Sequence, residues 1–245
     1  MSSFSLKLIA IITMLIDHIT AVFVPTNTWA YTIGRLIGRL AFPIFVFLLI
    51  EGFHHTSNIK NYLKRLGIFA LISEIPFDLA FYNSFFKEGN IKTDLPQMFS
   101  DPYMFDTVIK RFMQHQNIFF TLFIGLASVY FMSLIEKKYN KSMITVNILN
   151  ALITLVACFV AVILRTDYHI LGILLIAAYY LFRGSNVLLV ISTLIIIGST
   201  IQAFSALSII LIKFYNGKRG KNIKYFFYVF YPAHLLLLYI ISLFI

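Results

Sequence analysis

The chain has 245 residues, of which 60% are hydrophobic and only 12% charged, and its mean hydropathy is +0.86. A soluble domain carries roughly 25% charged residues, so this composition excludes a soluble globular protein and indicates an all-α, polytopic integral membrane protein. The formal net charge of +10 does not indicate nucleic-acid binding, because the basic residues cluster at the ends of apolar segments, where they set topology and contact membrane lipids.

The hydropathy pattern predicts about nine transmembrane helices, with eight or ten as alternatives, in a single domain covering residues 1–245. A span needs about 20 apolar residues, or somewhat fewer where neighbouring helices cover its backbone. The predicted spans, in chain order, are 6–24, 31–53, 62–82, 116–135, 143–164, 168–182, 186–200, 202–215 and 225–245.

Basic residues follow alternate predicted spans, which indicates the topology. They are Lys7 before the first span, then Lys60, Lys64, Arg65, Lys137, Lys138, Lys141, Arg183, Lys218, Arg219, Lys221 and Lys224. All of these lie on one side of the membrane if the N-terminus is cytoplasmic, as the positive-inside rule requires. We therefore predict a multi-pass protein of a bacterial plasma membrane with a cytoplasmic N-terminus. The lone Cys158 excludes an internal disulfide.

One connection, 83–115, is much longer than the others. Loops longer than about 12–15 residues are usually functional or disordered. This one mixes charged residues with many aromatic ones, a composition typical of helices that lie in a membrane interface. We predict an extracytoplasmic loop with interfacial helices.

Ionisable residues occur inside four of the predicted spans, where each costs several kcal/mol and marks a candidate functional site. They are Asp17, His18, Arg35, Arg39, Glu51, Glu74, Asp78 and His234. Counted at the helical rise of about 1.5 Å per residue, His18 and Glu74 lie about 18 Å into a core about 30 Å thick. On the same count, Arg39 lies about 12 Å from the outer face and His234 about 14 Å from the inner face. We therefore predict an enclosed polar chamber near the midplane.

The spacing of these residues predicts which of them pair. Arg35 and Arg39 share one helix face, because residues four apart are neighbours on a helix surface. Asp17 and His18 point about 100° apart, so Asp17 is expected to pair with Arg35 or Arg39 rather than to orient His18. A purely structural ion pair is the alternative to a functional one. Gly34 and Gly38 form a small-xxx-small face that admits another helix.

Three further positions have two interpretations each. Glu51 and His55 lie near the cytoplasmic boundary, where a solvated helix end explains them as well as a ligand does. Asn117 is either a helix cap or a hydrogen-bond donor to a ligand. His115 and His169 are expected to be interfacial, and His169 is assigned no role.

Several segments together resemble the TraX family. They are L-K-L-I-A-I-I-T-M-L-I-D-H-I (6–19), G-R-L-A-F-P-I-F-V-F-L-L-I-E-G-F (38–53), S-E-I-P-F-D-L-A (73–80), Q-N-I-F-F-T-L-F-I-G-L (116–126), T-D-Y (166–168) and Y-P-A-H-L (231–235). The match runs in order over nearly the whole chain, which makes the combination specific although each segment alone is weak.

The resemblance implies a transmembrane acyltransferase. The founding TraX protein is associated with N-terminal acetylation of pilin, and the family is distantly similar to type 3 acyltransferases and to heparan glucosaminide acetyltransferase. Such enzymes move acetyl groups from cytoplasmic acetyl-CoA to acceptors at or across the membrane. The resemblance makes His18 the expected catalytic residue and matches Arg39 to a conserved arginine. The acceptor is left open as a peptide, glycan, lipid or polymer, as is a homo-oligomeric state.

The expected mechanism uses His18 as general base, tuned by Asp17 or Glu74, while Arg39 or the amide of Asn117 stabilises the oxyanion. The residues expected to bind substrate or acyl donor are Arg35, Glu51, His55, Asp78, Asn117, Tyr168, His234, Lys60, Lys64 and Arg65. No metal site is predicted. The alternative is an ion-coupled transporter, which also places Asp, His and Arg near the midplane.

Overall fold

The structure is a computed structural model, and it describes residues 1–85, 114–198, 200–221 and 223–244. These residues are helical, apart from short connections and an isolated β-bridge between Gln116 and Thr166. The α-helices are α1 (Ser3–Phe23), α2 (Trp29–Gly38), α3 (Ala41–His55), α4 (Ile59–Phe85), α5 (Ile118–Lys138), α6 (Met143–Ile163), α7 (His169–Leu181), α8 (Asn186–Ile197), α9 (Ser208–Lys213) and α10 (Lys224–Ser242), and a 3₁₀ helix covers Thr200–Leu207. The predicted all-α class is confirmed.

Five segments of the described chain are long and apolar enough to span a membrane. They are Ser3–Phe23, Trp29–His55, Ile118–Lys138, Met143–Ile163 and Tyr225–Ser242. Three shorter apolar helices lie at His169–Leu181, Asn186–Ile197 and Gln202–Lys213. Every predicted span therefore corresponds to helix, but the short helices and the charged α4 leave the count of nine unconfirmed.

The second candidate span, Trp29–His55, is interrupted near its middle. Helix α2 ends at Gly38 and α3 begins at Ala41, and the amide of Arg39 donates to the carbonyls of Arg35 and Leu36 in a tightened last turn. Pro43 lies in the first turn of α3, where its missing N–H leaves no intrahelical bond unmade. Arg39 lies at this break, so its side chain begins between the two helical segments and beside α1.

Helix α1 packs closely against α2 because two glycines remove side chains from the contact. A Cβ atom at Gly34 would overlap the side chain of Thr20, and one at Gly38 would overlap that of Asp17. This is the small-residue face that the sequence predicts, and the glycines allow the backbones of the two helices to approach. As a result, Asp17 lies directly over α2.

The core is formed where α1, α3, α4, α5, α7 and α10 meet. Helix α10 packs against α4 and α1, and α5 lies between α4 and α7. The predicted extracytoplasmic loop, 83–115, falls almost wholly outside the described residues, so its interfacial helices remain a prediction.

Candidate functional site

A cavity of about 140 Å³ lies between α1, α2, α3, α4, α10 and the connection that precedes α7. Its wall combines charged groups with a large aromatic surface. The charged and polar lining residues are Asp17, His18, Arg35, Arg39, His115, Asp167, Tyr168 and Tyr231, and the apolar ones include Met14, Phe42, Phe45, Phe77 and Phe81. The cavity therefore collects the polar groups that the sequence places in α1 and α2.

Asp17 is the centre of an ion cluster on the cavity wall. Nη1 of Arg35 lies 2.8 Å from Oδ2 of Asp17, and Nη2 of Arg39 lies 3.2 Å from Oδ1. The Asp17 and Arg39 side chains are only 14% and 11% exposed. Arg39 also donates from Nε to the carbonyl of Arg35 at 3.2 Å. The predicted pairing of Asp17 with the two arginines is confirmed.

His18 is paired with His234, a residue 216 positions further along the chain. Nδ1 of His18 lies 2.8 Å from Nε2 of His234, and the two ring planes are nearly parallel, 7° apart. Nδ1 of His234 lies 2.8 Å from the carbonyl oxygen of Phe230, one turn earlier in α10. His234 is 5% exposed, whereas His18 is only partly buried because it lines the cavity.

The connection between α6 and α7 delivers Asp167 and Tyr168 to the same cavity. Gln116 fixes this connection, since its N–H donates to Arg165 and its carbonyl accepts from Asp167. Thr121 donates its hydroxyl to the carbonyl of Asp167. Tyr168 takes the left-handed conformation, with φ of 60°, and its ring stacks on Phe42 at 3.8 Å. Burial raises the pKa of the Asp167 carboxyl.

Glu74 and Asn117 form a separate pair next to the cavity. Nδ2 of Asn117 donates to Oε2 of Glu74 at 2.5 Å and to the carbonyl of Ala70 at 2.8 Å, and the Asn117 Oδ1 accepts from the amide of Phe119. Asn117 is thus the N-cap of α5, and both of its amide hydrogens are engaged within the protein. The cap interpretation is confirmed, and the amide keeps no hydrogen for an oxyanion.

The remaining predicted site residues lie away from the cavity lining. Glu51 accepts from Nε of Arg183 at 2.7 Å and lies 3.3 Å from His55. Arg65 lies over the ring of Tyr62 and bonds to Tyr228. Lys60 and Lys64 are exposed. Asp78 follows Glu74 by one turn of α4, and neither of the two lines the cavity. The predicted site residues therefore form two groups: those that line the cavity or lie next to it, and those that lie away from it.

Three polar residues of the cavity wall are not predicted as site residues from the sequence: His115, Asp167 and Tyr231. The sequence predicts an interfacial His115 and assigns Asp167 no role of its own. Asp167 lies next to Tyr168, a predicted site residue, in the T-D-Y segment. This proximity is the feature of the sequence that could have identified Asp167 as a site residue. Tyr231 lies three residues before His234, which the sequence does predict as a site residue.

Comparison with known proteins identifies the family. The chain is 29% identical to a probable fimbrial assembly protein, FimC of serogroup H1, from Dichelobacter nodosus, over 97% of this chain and 94% of that protein. No solved structure gives a significant match. Residues 2–242 match the family model described as TraX protein. The chain therefore belongs to the TraX family.

Proposed function

We propose that this protein is an integral membrane acyltransferase that transfers an acetyl group from cytoplasmic acetyl-CoA to an amine or hydroxyl acceptor at or across the membrane. The observation that carries the proposal is the position of His18. Its imidazole lines a cavity that also presents the guanidinium groups of Arg35 and Arg39. A base and fixed cations around one small space are what acyl transfer to a neutral acceptor needs.

The proposed reaction conserves every atom of the two substrates. The ring nitrogen of His18 that faces the cavity takes the proton of the acceptor hydroxyl or amine, whose oxygen or nitrogen attacks the thioester carbonyl carbon. A carbon–oxygen or carbon–nitrogen bond forms and the carbon–sulfur bond breaks. The imidazolium of His18 then returns the proton to the leaving thiolate, so that the products are the acetylated acceptor and free thiol.

Arg39 is the group best placed to stabilise the tetrahedral oxyanion. Its Nε and Nη2 are held by the carbonyl of Arg35 and by Asp17, whereas Nη1 makes no hydrogen bond to any residue in the described part of the chain. A guanidinium fixed on two sides with one nitrogen free is a preorganised donor, which is the arrangement that favours the transition state over the ground state. The sequence offers Arg39 or Asn117 for oxyanion stabilisation, and we assign this role to Arg39.

The acyl donor is expected to reach this cavity from the cytoplasmic side, with the N-terminus cytoplasmic. A cavity of about 140 Å³ suits an acetyl group and the attacking atom, so the nucleotide has to lie outside it. Lys60, Lys64 and Arg65 are the proposed partners of its phosphates. Neutralising all three should raise the Michaelis constant for acetyl-CoA without lowering the turnover number; an unchanged constant would remove them from the donor site.

Among the acceptors, a polypeptide is the first to test. The relative from Dichelobacter nodosus is named for fimbrial assembly, and a fimbria is a polymer of protein subunits. A subunit presented at the membrane would offer an amine or a hydroxyl to the cavity.

The test is transfer of label from radiolabelled acetyl-CoA by the purified protein in detergent, with membrane extract as acceptor source. Wild type is compared with His18→Ala and with His169→Ala, since His169 is exposed and does not line the cavity. We expect turnover in wild type and His169→Ala and none in His18→Ala. Full activity in His18→Ala would remove His18 from the mechanism, and no turnover in any variant would contradict the acyltransferase.

The interrupted helix α2–α3 favours ion-coupled transport as the second candidate, because broken spanning helices with charged residues at the break form ion sites in transporters. Proteoliposomes distinguish the two. Solute or ion uptake that responds to an imposed proton or sodium gradient, with no label transfer from acetyl-CoA, would establish the transporter.

A further inference from the structure

The hydrogen bonds of the His18–His234 pair have a direction. The carbonyl oxygen of Phe230 can only accept, so Nδ1 of His234 carries a proton and donates to it. In a neutral imidazole the other nitrogen is then an acceptor. Nε2 of His234 accepts from Nδ1 of His18, which leaves Nε2 of His18 unprotonated.

The pair is held in place by packing on both sides. The Phe230 ring stacks on His234 with the centroids 4.9 Å apart, and Tyr231 meets both imidazoles edge-on. Phe81 contacts His18 from α4 at 5.1 Å, again edge-on. With rings against both imidazoles, neither can rotate to exchange its two nitrogens without displacing a buried aromatic side chain.

We propose that His234 is a positioning residue whose hydrogen bond to Phe230 fixes the proton of His18 on Nδ1 and leaves the Nε2 lone pair for the cavity. The chain of groups runs from a backbone carbonyl through His234 to His18. It performs the task that a carboxylate performs behind many catalytic histidines, since the partner of one ring nitrogen decides the protonation of the other. Here a neutral imidazole serves, which avoids placing another charge in the membrane interior.

The two carboxylates that the sequence offers as partners of His18, Asp17 and Glu74, are bound to other residues. Asp17, the neighbour of His18 in sequence, is occupied by Arg35 and Arg39. Glu74 is occupied by Asn117. Neither of the two carboxylates considered for tuning His18 therefore contacts its ring, and the described structure gives that position to His234.

Two amide substitutions test the proposal as a matched pair. In His234→Gln the longer side chain places its amide oxygen near the former Nε2, where it can still accept from Nδ1 of His18. In His234→Asn the shorter side chain reaches only the former Nδ1, and the bond to His18 is lost. Phe230→Leu is the control for packing, because it removes the stacked ring and keeps the carbonyl.

The first measurement is nitrogen NMR of the full protein in detergent, labelled with ¹⁵N-histidine, with the His18 signals assigned by their loss in His18→Gln. We expect wild type, His234→Gln and Phe230→Leu to show His18 protonated at Nδ1 and unprotonated at Nε2. His234→Asn should show a mixture of the two tautomers. A wild-type His18 protonated at Nε2, or a His234→Asn spectrum identical to wild type, would overturn the proposal.

The second measurement rests on the proposed function and uses acetyl-CoA turnover. His234→Asn should lower the turnover number about 100-fold, the usual contribution of a positioned general base, with an unchanged Michaelis constant, and His234→Gln should recover most of it. Equal losses in both variants would contradict the positioning role. If the tautomers behave as expected but wild type transfers no acetyl group, the proposed function fails and the positioning of His18 stands.

Discussion

Nη2 of Arg39 lies 3.2 Å from Oδ1 of Asp17 and 3.5 Å from Oδ2, so one carboxylate on α1 holds the arginine at the break between α2 and α3. Because the same carboxylate also binds Arg35, the cluster carries one negative and two positive charges. An intact cluster therefore holds the guanidinium of Arg39, which we propose stabilises the oxyanion.

Replacing Asp17 by Asn should destabilise the protein strongly. Removing one partner of a buried ion pair typically costs about 3–5 kcal/mol, because the remaining charge is left uncompensated. We expect a large fall in the thermal unfolding temperature in detergent, partly restored in Asp17→Asn with Arg35→Gln, which removes one of the two stranded cations. If the double variant is less stable than the single one, the cluster is not held together as the structure shows.

The glycine face of α2 gives a prediction with an internal control. Gly34→Ala and Gly38→Ala place a Cβ atom inside Thr20 and Asp17, whereas Gly67→Ala places one 3.4 Å from a ring carbon of Phe123, an ordinary contact. The first two should lower the unfolding temperature, by an amount corresponding to about 1–3 kcal/mol of overpacking, and the third should change it little. Equal effects at all three positions would contradict close packing of α1 on α2.

Asn117 should behave as a structural residue. Asn117→Ala removes the N-cap of α5, worth about 0.5–2 kcal/mol, and also the partner of Glu74. Asn117→Ser keeps a capping oxygen and should recover part of the lost stability. The measurement is thermal unfolding of both variants beside wild type. If Asn117→Ala unfolds at the wild-type temperature but transfers no acetyl group, Asn117 would instead be assigned to oxyanion stabilisation.

The connection before α7 contains backbone strain that glycine can relieve. Arg165 has a φ of 51°, a left-handed conformation that costs a residue with a Cβ atom roughly 1–2 kcal/mol. Arg165→Gly should therefore raise the unfolding temperature slightly. Lys218→Gly is the matched control, since it removes the same charge from another exposed connection but from a residue without a positive φ; it should be neutral or destabilising.

Topology can be tested with single cysteines in a Cys158→Ala background. Thr26 lies in the connection after α1 and Ser57 in the connection before α4, and both are exposed. With a cytoplasmic N-terminus, a membrane-impermeant thiol reagent should label Thr26→Cys in intact cells and Ser57→Cys only after lysis. The reverse pattern would invert the predicted orientation.

Much of this architecture could be predicted from the sequence because it depends on spacing within a single helix. The helical segments follow from the lengths of the apolar runs in the sequence. The shared face of Arg35 and Arg39, and the glycine face of Gly34 and Gly38, follow from the helical period of 3.6 residues. The ion cluster around Asp17 could also be predicted, since the next predicted span supplies two arginines on one helix face.

The partners of His18 and Glu74 were decided only by the tertiary structure. His234 reaches His18 from a helix 216 residues away, and Asn117 reaches Glu74 from the start of α5. Such contacts depend on how far each helix is shifted along its axis and rotated about it when it packs. Each helix's own pattern shows which residues are polar, but the side chains of its neighbours set the shift and the rotation. The sequence by itself thus determined which polar groups lie within the apolar helices, and only the packing of α10 on α1 and of α5 on α4 determined which of them meet.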